Sequence, residues 1–370
     1  LLLLSLCALS THMVRKSLAQ SEFETNLADS AQAPQELEGS DASPEQGASP
    51  DWWPSQPPVQ PGFPVALSGA YLQLGSSSTL VDLDGDDSLE IVVAGRDRLA
   101  DGRPGCGGLV YAYRPNGSLL WQARVRAAIN STPTAADLTG DGHLDVIVSM
   151  GGFTEAQCWH GGVVALDGRT GQELWTFDTQ DWLNHRPDGW RDGVFATPAI
   201  ADVNGDGQLE IAFGAWDQCI YLLNRNGKPL WGNLPGILSQ TRCGGHGFYN
   251  EDTIWSSPAL ADITGNGHLE IIIGADISRG NVWGDPAGGY LYILDASGKS
   301  LAREWIDQAI FSSPAVADLD KDGAPEVVVG TGAYLQGTGY YVSAFDYDAN
   351  ATDPANRLVL KWRKATRGRV

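Results

Sequence analysis

Residues 312–331 read SSPAVADLDKDGAPEVVVGT, and four other stretches of the 370-residue chain follow the same grammar. They are SSSTLVDLDGDDSLEIVVAG (76–95), STPTAADLTGDGHLDVIVSM (131–150), ATPAIADVNGDGQLEIAFGA (196–215) and SSPALADITGNGHLEIIIGA (256–275). Each opens on a short apolar stretch, turns at a run of acids, and continues into β-branched residues that suit a buried strand. The first acids of the turns are Asp82, Asp137, Asp202, Asp262 and Asp318, at spacings of 55, 65, 60 and 56 residues. A constant unit with loops of variable length is the signature of a repeat architecture.

Outward from this unit the pattern continues. A third apolar run follows each turn: GLVYAY (108–113), GVVAL (162–166), CIYLL (219–223), GYLYIL (289–294) and YYVSAF (340–345). Turn dipeptides such as Asn226-Gly227 and Ser297-Gly298 then predict hairpins. The fourth run carries a tryptophan in every unit: Trp121, Trp175, Trp231, Trp305 and Trp362. A large ring there would pack the neighbouring unit. The expected fold is all-β, a β-propeller of four-stranded antiparallel blades, because radial repetition leaves few free edges. Blades are expected at about 76–125, 131–179, 196–234, 256–307 and 312–364. Gly62-Phe63-Pro64-Val65 reads as an outer fourth strand, and a sixth repeat would start near residue 364. The five repeats are therefore expected to be a fragment of a six- to eight-bladed ring.

The acidic turn reads D-x-[DNT]-x-[DN]-G-x-x-[DE]. Side chains at positions 1, 3 and 5 point into one tight loop, Gly at position 6 supplies the left-handed reversal, and the acid at 9 closes an oxygen cage. Hard oxygen ligands in a flexible loop suit Ca²⁺. An EF-hand is excluded, since its acid stands at position 12 between helices. The candidate ligands are Asp82, Asp84, Asp86 and Glu90 in the first loop, and Asp137, Thr139, Asp141 and Asp145 in the second. The third offers Asp202, Asn204, Asp206 and Glu210, the fourth Asp262, Thr264, Asn266 and Glu270, and the fifth Asp318, Asp320, Asp322 and Glu326. Up to five calcium ions are expected. Ligand charge helps set affinity, so the fourth loop is expected to be weakest and the first and fifth strongest. Asp87 stands where the other loops have glycine at position 6, at some cost in strain.

These turns resemble the FG-GAP/VCBS-type repeats of integrin α-subunit propellers and of secreted bacterial proteins, over residues 63–370. The resemblance implies a calcium loop between the first and second strands of each blade. It also implies a ligand face on the other side of the propeller, and adhesion or recognition more than catalysis. Propellers attached to enzymes also occur in that family, so a polysaccharide-degrading, lyase-like enzyme is the alternative. VVALDGRTGQELWTF (163–177) resembles the tryptophan repeats of quinoprotein propellers, but the chain lacks their vicinal cysteines.

Long variable loops are expected to gather on the face opposite the acidic turns. Trp159, Trp182, Trp190, His246 and Trp283 lie in them as candidate ligand-binding residues. The alternative is that these side chains pack the loops against one another. The spacing of the histidines does not fit zinc, and no nucleophile elbow, P-loop or dinucleotide fingerprint is present. Cys106, Cys158, Cys219 and Cys243 allow three disulfide pairings or four free thiols. Cys106–Cys158 and Cys219–Cys243 are favoured, because the first pair sits in equivalent loops of adjacent blades. Asn130-Ser131-Thr132 and Asn350-Ala351-Thr352 match glycosylation sequons.

The formal charge of −21 excludes wrapping nucleic acid, which needs a basic surface. The opening LLLLSLCAL is too short to span a bilayer and fits a signal-peptide core, so residues 1–19 read as a truncated signal peptide. Residues 20–62 hold eight carboxylates and no Lys or Arg, the composition of a disordered acidic linker. A secreted or cell-surface protein without a membrane span, carrying a glycan or protein ligand, is expected.

Overall fold

The structure is a computed structural model that describes residues 61–63, 65–67, 69–71, 76–151, 158–159, 161–179, 192–231, 243, 247–250, 252–277, 286–332 and 340–366. Every described residue belongs to one unit, residues 60–370. The expected leader and nearly all of the acidic linker lie outside the described residues.

Each repeat forms one antiparallel sheet, its strands hydrogen-bonded in sequence order. The first sheet holds β1 (Ala70–Tyr71), β2 (Thr79–Val81), β3 (Glu90–Arg98), β4 (Pro104–Tyr113) and β5 (Leu119–Val125), with β1 and β2 both pairing with β3. The second holds β6 (Thr134–Ala136), β7 (Asp145–Gly151), β8 (Gly161–Leu166) and β9 (Glu173–Asp178). The third holds β10 (Ala199–Ala201), β11 (Glu210–Gly214), β12 (Cys219–Asn224) and β13 (Phe248–Tyr249). The fourth comprises β14 (Ala259–Ala261), β15 (Glu270–Ile277), β16 (Gly288–Leu294) and β17 (Ser300–Ile306). The fifth comprises β18 (Ala315–Ala317), β19 (Glu326–Gly330), β20 (Tyr341–Tyr347) and β21 (Leu358–Ala365). These are propeller blades.

The cores lie between blades rather than within them. Val92, Ala94 and Val110 of the first sheet pack against Val146, Val148 and Val164 of the second. The same layer recurs between second and third, third and fourth, and fourth and fifth sheets. The middle strands of the second, third and fourth sheets are thus covered on both faces. This explains why β7, β8 and β16 are buried along their whole length and read as continuous apolar runs rather than alternating ones.

Two polar devices join the blades. Near the inner strands, Ser77 N–H donates to Thr132 Oγ1, Thr132 N–H to Thr197 Oγ1, and Thr197 N–H to Ser257 Oγ, at 3.1, 3.3 and 2.9 Å. On the outer strands, the indole N–H of Trp121 donates to Gly168 O in the next blade's hairpin turn. Trp175 does the same to Arg225 O and Trp231 to Ala296 O. Gly171 and Gly227 lie flat under these rings, with ideal Cβ positions only 2.7 and 2.5 Å from Trp121 and Trp175.

Trp305 departs from the expected pattern. Trp121 and Trp175 pair with Ala112 and Ala165 beside a β-bulge, whereas the fourth blade has Ala302 at that register. Trp305 lies three residues further on and donates to Pro286 O instead. At the junction of fourth and fifth blades, Arg357 donates to Leu301 O.

Two boundaries also differ from the sequence reading. The third blade runs past residue 234, because β13 completes its fourth-strand position after Leu230 has bonded to Leu222. Of the segment expected to be an outer strand, the described residues Gly62, Phe63 and Val65 lie in no strand. Val65, Leu67 and Ala70 instead cover the outward face of the first blade at Leu109, Tyr111 and Tyr113. Disulfides join Cys106 to Cys158, tying the first blade to the second, and Cys219 to Cys243.

Candidate metal centre and the opposite face

The five acidic loops share one backbone scaffold. The carboxylate at position 1 accepts the N–H groups that follow it: Gly85 and Asp87 on Asp82, then Gly140, Asp141 and Gly142 on Asp137. Asp202, Asp262 and Asp318 repeat this. The loop therefore needs left-handed backbone at two places. Position 6 was legible, and position 4 is the second. Gly85, Gly140, Gly205 and Gly265 take it with φ between 72° and 78°. Asp87 at position 6 and Lys321 at position 4 adopt φ of 67° without being glycine. The two most acidic loops thus carry the strained residues.

The acid at position 9 starts the second strand and is buried in every blade: Glu90, Asp145, Glu210, Glu270 and Glu326. One oxygen accepts the N–H of position 2, as from Leu83 to Glu90 at 2.9 Å and Leu319 to Glu326 at 2.7 Å. The partner of the other oxygen differs among the blades. Glu210 Oε1 accepts from Asn204 Nδ2. Glu270 Oε1 accepts from Thr264 Oγ1 and Asn266 Nδ2. Glu326 Oε1 accepts from Lys361 Nζ. Glu90 Oε1 is buried and has no partner, and so is Asp84 Oδ1.

In the first loop the oxygens of Asp82, Asp84 and Asp86 come within 4.8 Å of one another. Burial raises the Glu90 carboxyl above its usual range, offset by the Leu83 N–H, and the three aspartates raise it further. Arg114 approaches Asp84 only to 3.5 Å. An all-oxygen cluster with two orphaned buried oxygens fits a hard divalent cation. Asp318, Asp320 and Glu326 of the fifth loop also converge. The second, third and fourth loops bring fewer acids together, since position 3 is Thr139, Asn204 or Thr264. Asp145, Glu210 and Glu270 are likewise raised, chiefly by burial.

By connectivity, the loops entering each first strand lie on the other side of the blades. Of the five expected ligand-binding residues, only Trp159 is described; Trp182, Trp190, His246 and Trp283 lie outside the described residues. Trp159 is exposed, with the Arg126 guanidinium 5.4 Å from its ring centre. The larger feature here is an aromatic cluster that the sequence reading missed. Phe195 stacks on Trp216 at 4.4 Å, Trp216 meets Trp255 at 4.5 Å, and Trp255 meets Phe311 at 5.1 Å. Its signal was present: Phe195, Trp255 and Phe311 each stand four residues before an inner strand. Beneath it, Trp255 Nε1 donates to Thr253 Oγ1, and Asp276 N–H to Thr253 O. Burial holds the Asp276 carboxyl well above the usual range, reinforced by Asp252.

The sequons differ in access. Asn130 is buried and its amide donates to Gly151 O, whereas Asn350 is exposed on a turn. No helix among the described residues is long and apolar enough to cross a membrane.

Residues 76–148 match the family model of the FG-GAP-like repeat, a stretch that spans the first two acidic loops. No curated protein matches the chain. Among solved structures, the exotype rhamnogalacturonan lyase YesX is similar at 19% identity and a TM-score of 0.48, over 78% of this chain and 57% of that one. A rhamnogalacturonan lyase of Bacillus licheniformis is similar at 18% identity and a TM-score of 0.45, over 81% and 51%. A quinohemoprotein alcohol dehydrogenase of Pseudomonas putida HK5 follows at 11% and 0.45, over 80% and 52%. The chain spans between 51% and 57% of the length of these proteins.

Proposed function

We propose that this chain is an exported, calcium-stabilised propeller that recognises a glycan or protein ligand through the face opposite its acidic loops. The observation that carries the calcium reading is the convergence of Asp82, Asp84 and Asp86, with two oxygens of the loop, Asp84 Oδ1 and Glu90 Oε1, buried and unpartnered. Leaving two such acceptors without a donor costs on the order of 1–3 kcal/mol each. A bound cation would satisfy both and offset the repulsion among the four acids. The protein's own residues would supply the cage from one turn, and the ion would fix that turn between two strands.

The recognition reading rests on the half-buried rings of Phe195, Trp255 and Phe311, which cluster with the buried Trp216, since aromatic faces serve both sugar stacking and protein anchoring. The two disulfides support an oxidising compartment. Thermal unfolding with excess Ca²⁺ and with EDTA tests the first part. Calcium should raise the melting temperature, because it binds the folded loops better than the unfolded chain. An unchanged curve would remove the calcium reading. Glycan-array binding without turnover supports recognition, and release of unsaturated oligosaccharides from pectin would replace it with the lyase alternative.

A further inference from the structure

The fifth loop holds a cation supplied by the chain itself. Lys361 Nζ lies 2.6 Å from Asp320 Oδ2, 2.8 Å from Glu326 Oε1 and 2.9 Å from Asp346 Oδ1. Asp320 and Glu326 are positions 3 and 9 of the loop, and Glu326 is buried. The oxygen that is orphaned in the first loop is therefore met by an ammonium in the fifth.

The position of this lysine in the blade is specific. The outer strand bulges once in the first, second, fourth and fifth blades. The residue skipped in the ladder is Leu120 between Leu119 and Trp121, Leu174 between Glu173 and Trp175, and Leu301 between Ser300 and Ala302. In the fifth blade it is Lys361, between Leu360 and Trp362. The third blade has Leu230 before Trp231. Four blades thus have a leucine at this position of the outer strand, and one has a lysine. That blade is one of the two whose loop carries four carboxylates.

A calcium ion bound by Asp320 and Glu326 would need both oxygens at about 2.3–2.6 Å. The Lys361 ammonium already sits within hydrogen-bond distance of both, so the two cations would compete for one position. We propose that Lys361 is the resident counter-ion of the fifth loop, and that this loop takes calcium more weakly than the first despite an equal number of carboxylates. This rests on the reading of the acidic loops as calcium sites, and it separates two loops that ligand charge alone ranks together.

Calcium stoichiometry and affinity, measured by isothermal titration on the whole chain, test it. Two variants alter position 5 of a loop without touching Lys361. Asp86→Asn should remove one tight equivalent, and Asp322→Asn should remove none. Lys361→Leu, which installs the residue of the other blades, should gain one equivalent bound about tenfold or more tighter than the fifth loop of the parent. Lys361→Met serves the same purpose if the leucine variant does not fold, as judged by circular dichroism. Loss of a tight equivalent in Asp322→Asn, or an unchanged isotherm in the Lys361 variants, would overturn the proposal alone. No calcium bound by any of these proteins would overturn it together with the reading beneath it.

Discussion

At the scale of single residues, the acidic loop is first a problem of backbone geometry. Its two left-handed positions fall to glycine everywhere except Asp87 and Lys321. Aspartate tolerates that region better than lysine. Lys321→Gly is therefore expected to raise stability by about 1 kcal/mol, and Asp87→Gly by less, in chemical denaturation without added metal. Position 6 was legible from the turn motif, and position 4 could have been, since four of five repeats have glycine there. What no motif could give is the second partner of each position-9 acid. That partner comes from position 3 or 5 in two loops and from a distant strand in the fifth, so it depends on sheet register.

At the scale of strands, the tryptophans divide into two kinds that look alike in sequence. Trp175 sends its indole N–H to the next blade's turn, so Trp175→Phe should cost about 1 kcal/mol through the lost hydrogen bond. Trp305→Phe should cost less, because Trp305 bonds to Pro286 within its own blade. Paired denaturant titrations would separate them. The difference is one of register: a shift of three residues along β17 was invisible to a pattern that asks only for a tryptophan on the fourth strand. The same strand carries Glu304, whose carboxyl burial pushes up to about 7 from an ordinary 4.5, with Arg363 of β21 opposing the shift. Its contribution to stability is thus present below about pH 4.5 and is lost as the pH rises through 7. Glu304→Gln should abolish that slope. A melting temperature whose pH dependence between 4.5 and 7 matches the parent's would contradict it.

At the scale of the molecule, the fold was legible because five registers of the same acidic turn repeat, and no sandwich would repeat its turn chemistry so. The way the first blade's outward face is covered was not. Val65 and Leu67 lie in a short apolar segment whose partner, the Leu109–Tyr111–Tyr113 face, is known only once the sheet is formed. The Cys106–Cys158 bond spans 52 residues and joins neighbouring blades. In the chain-entropy account, a loop of that length contributes about 4 kcal/mol. A Cys106→Ser/Cys158→Ser protein should unfold at correspondingly lower urea. If it matched the parent, packing and the hydrogen bonds of Ser77 and Trp121 would hold the two blades without the disulfide. The row of Ser77, Thr132, Thr197 and Ser257 has a direction, since the backbones of the first three donate forward, each to the hydroxyl of the next. Every step is chemically the same as the one before it. Adding or deleting a whole module therefore leaves the joint intact wherever a hydroxyl stands at that place, so the number of modules can grow by gene duplication without inventing a new interface.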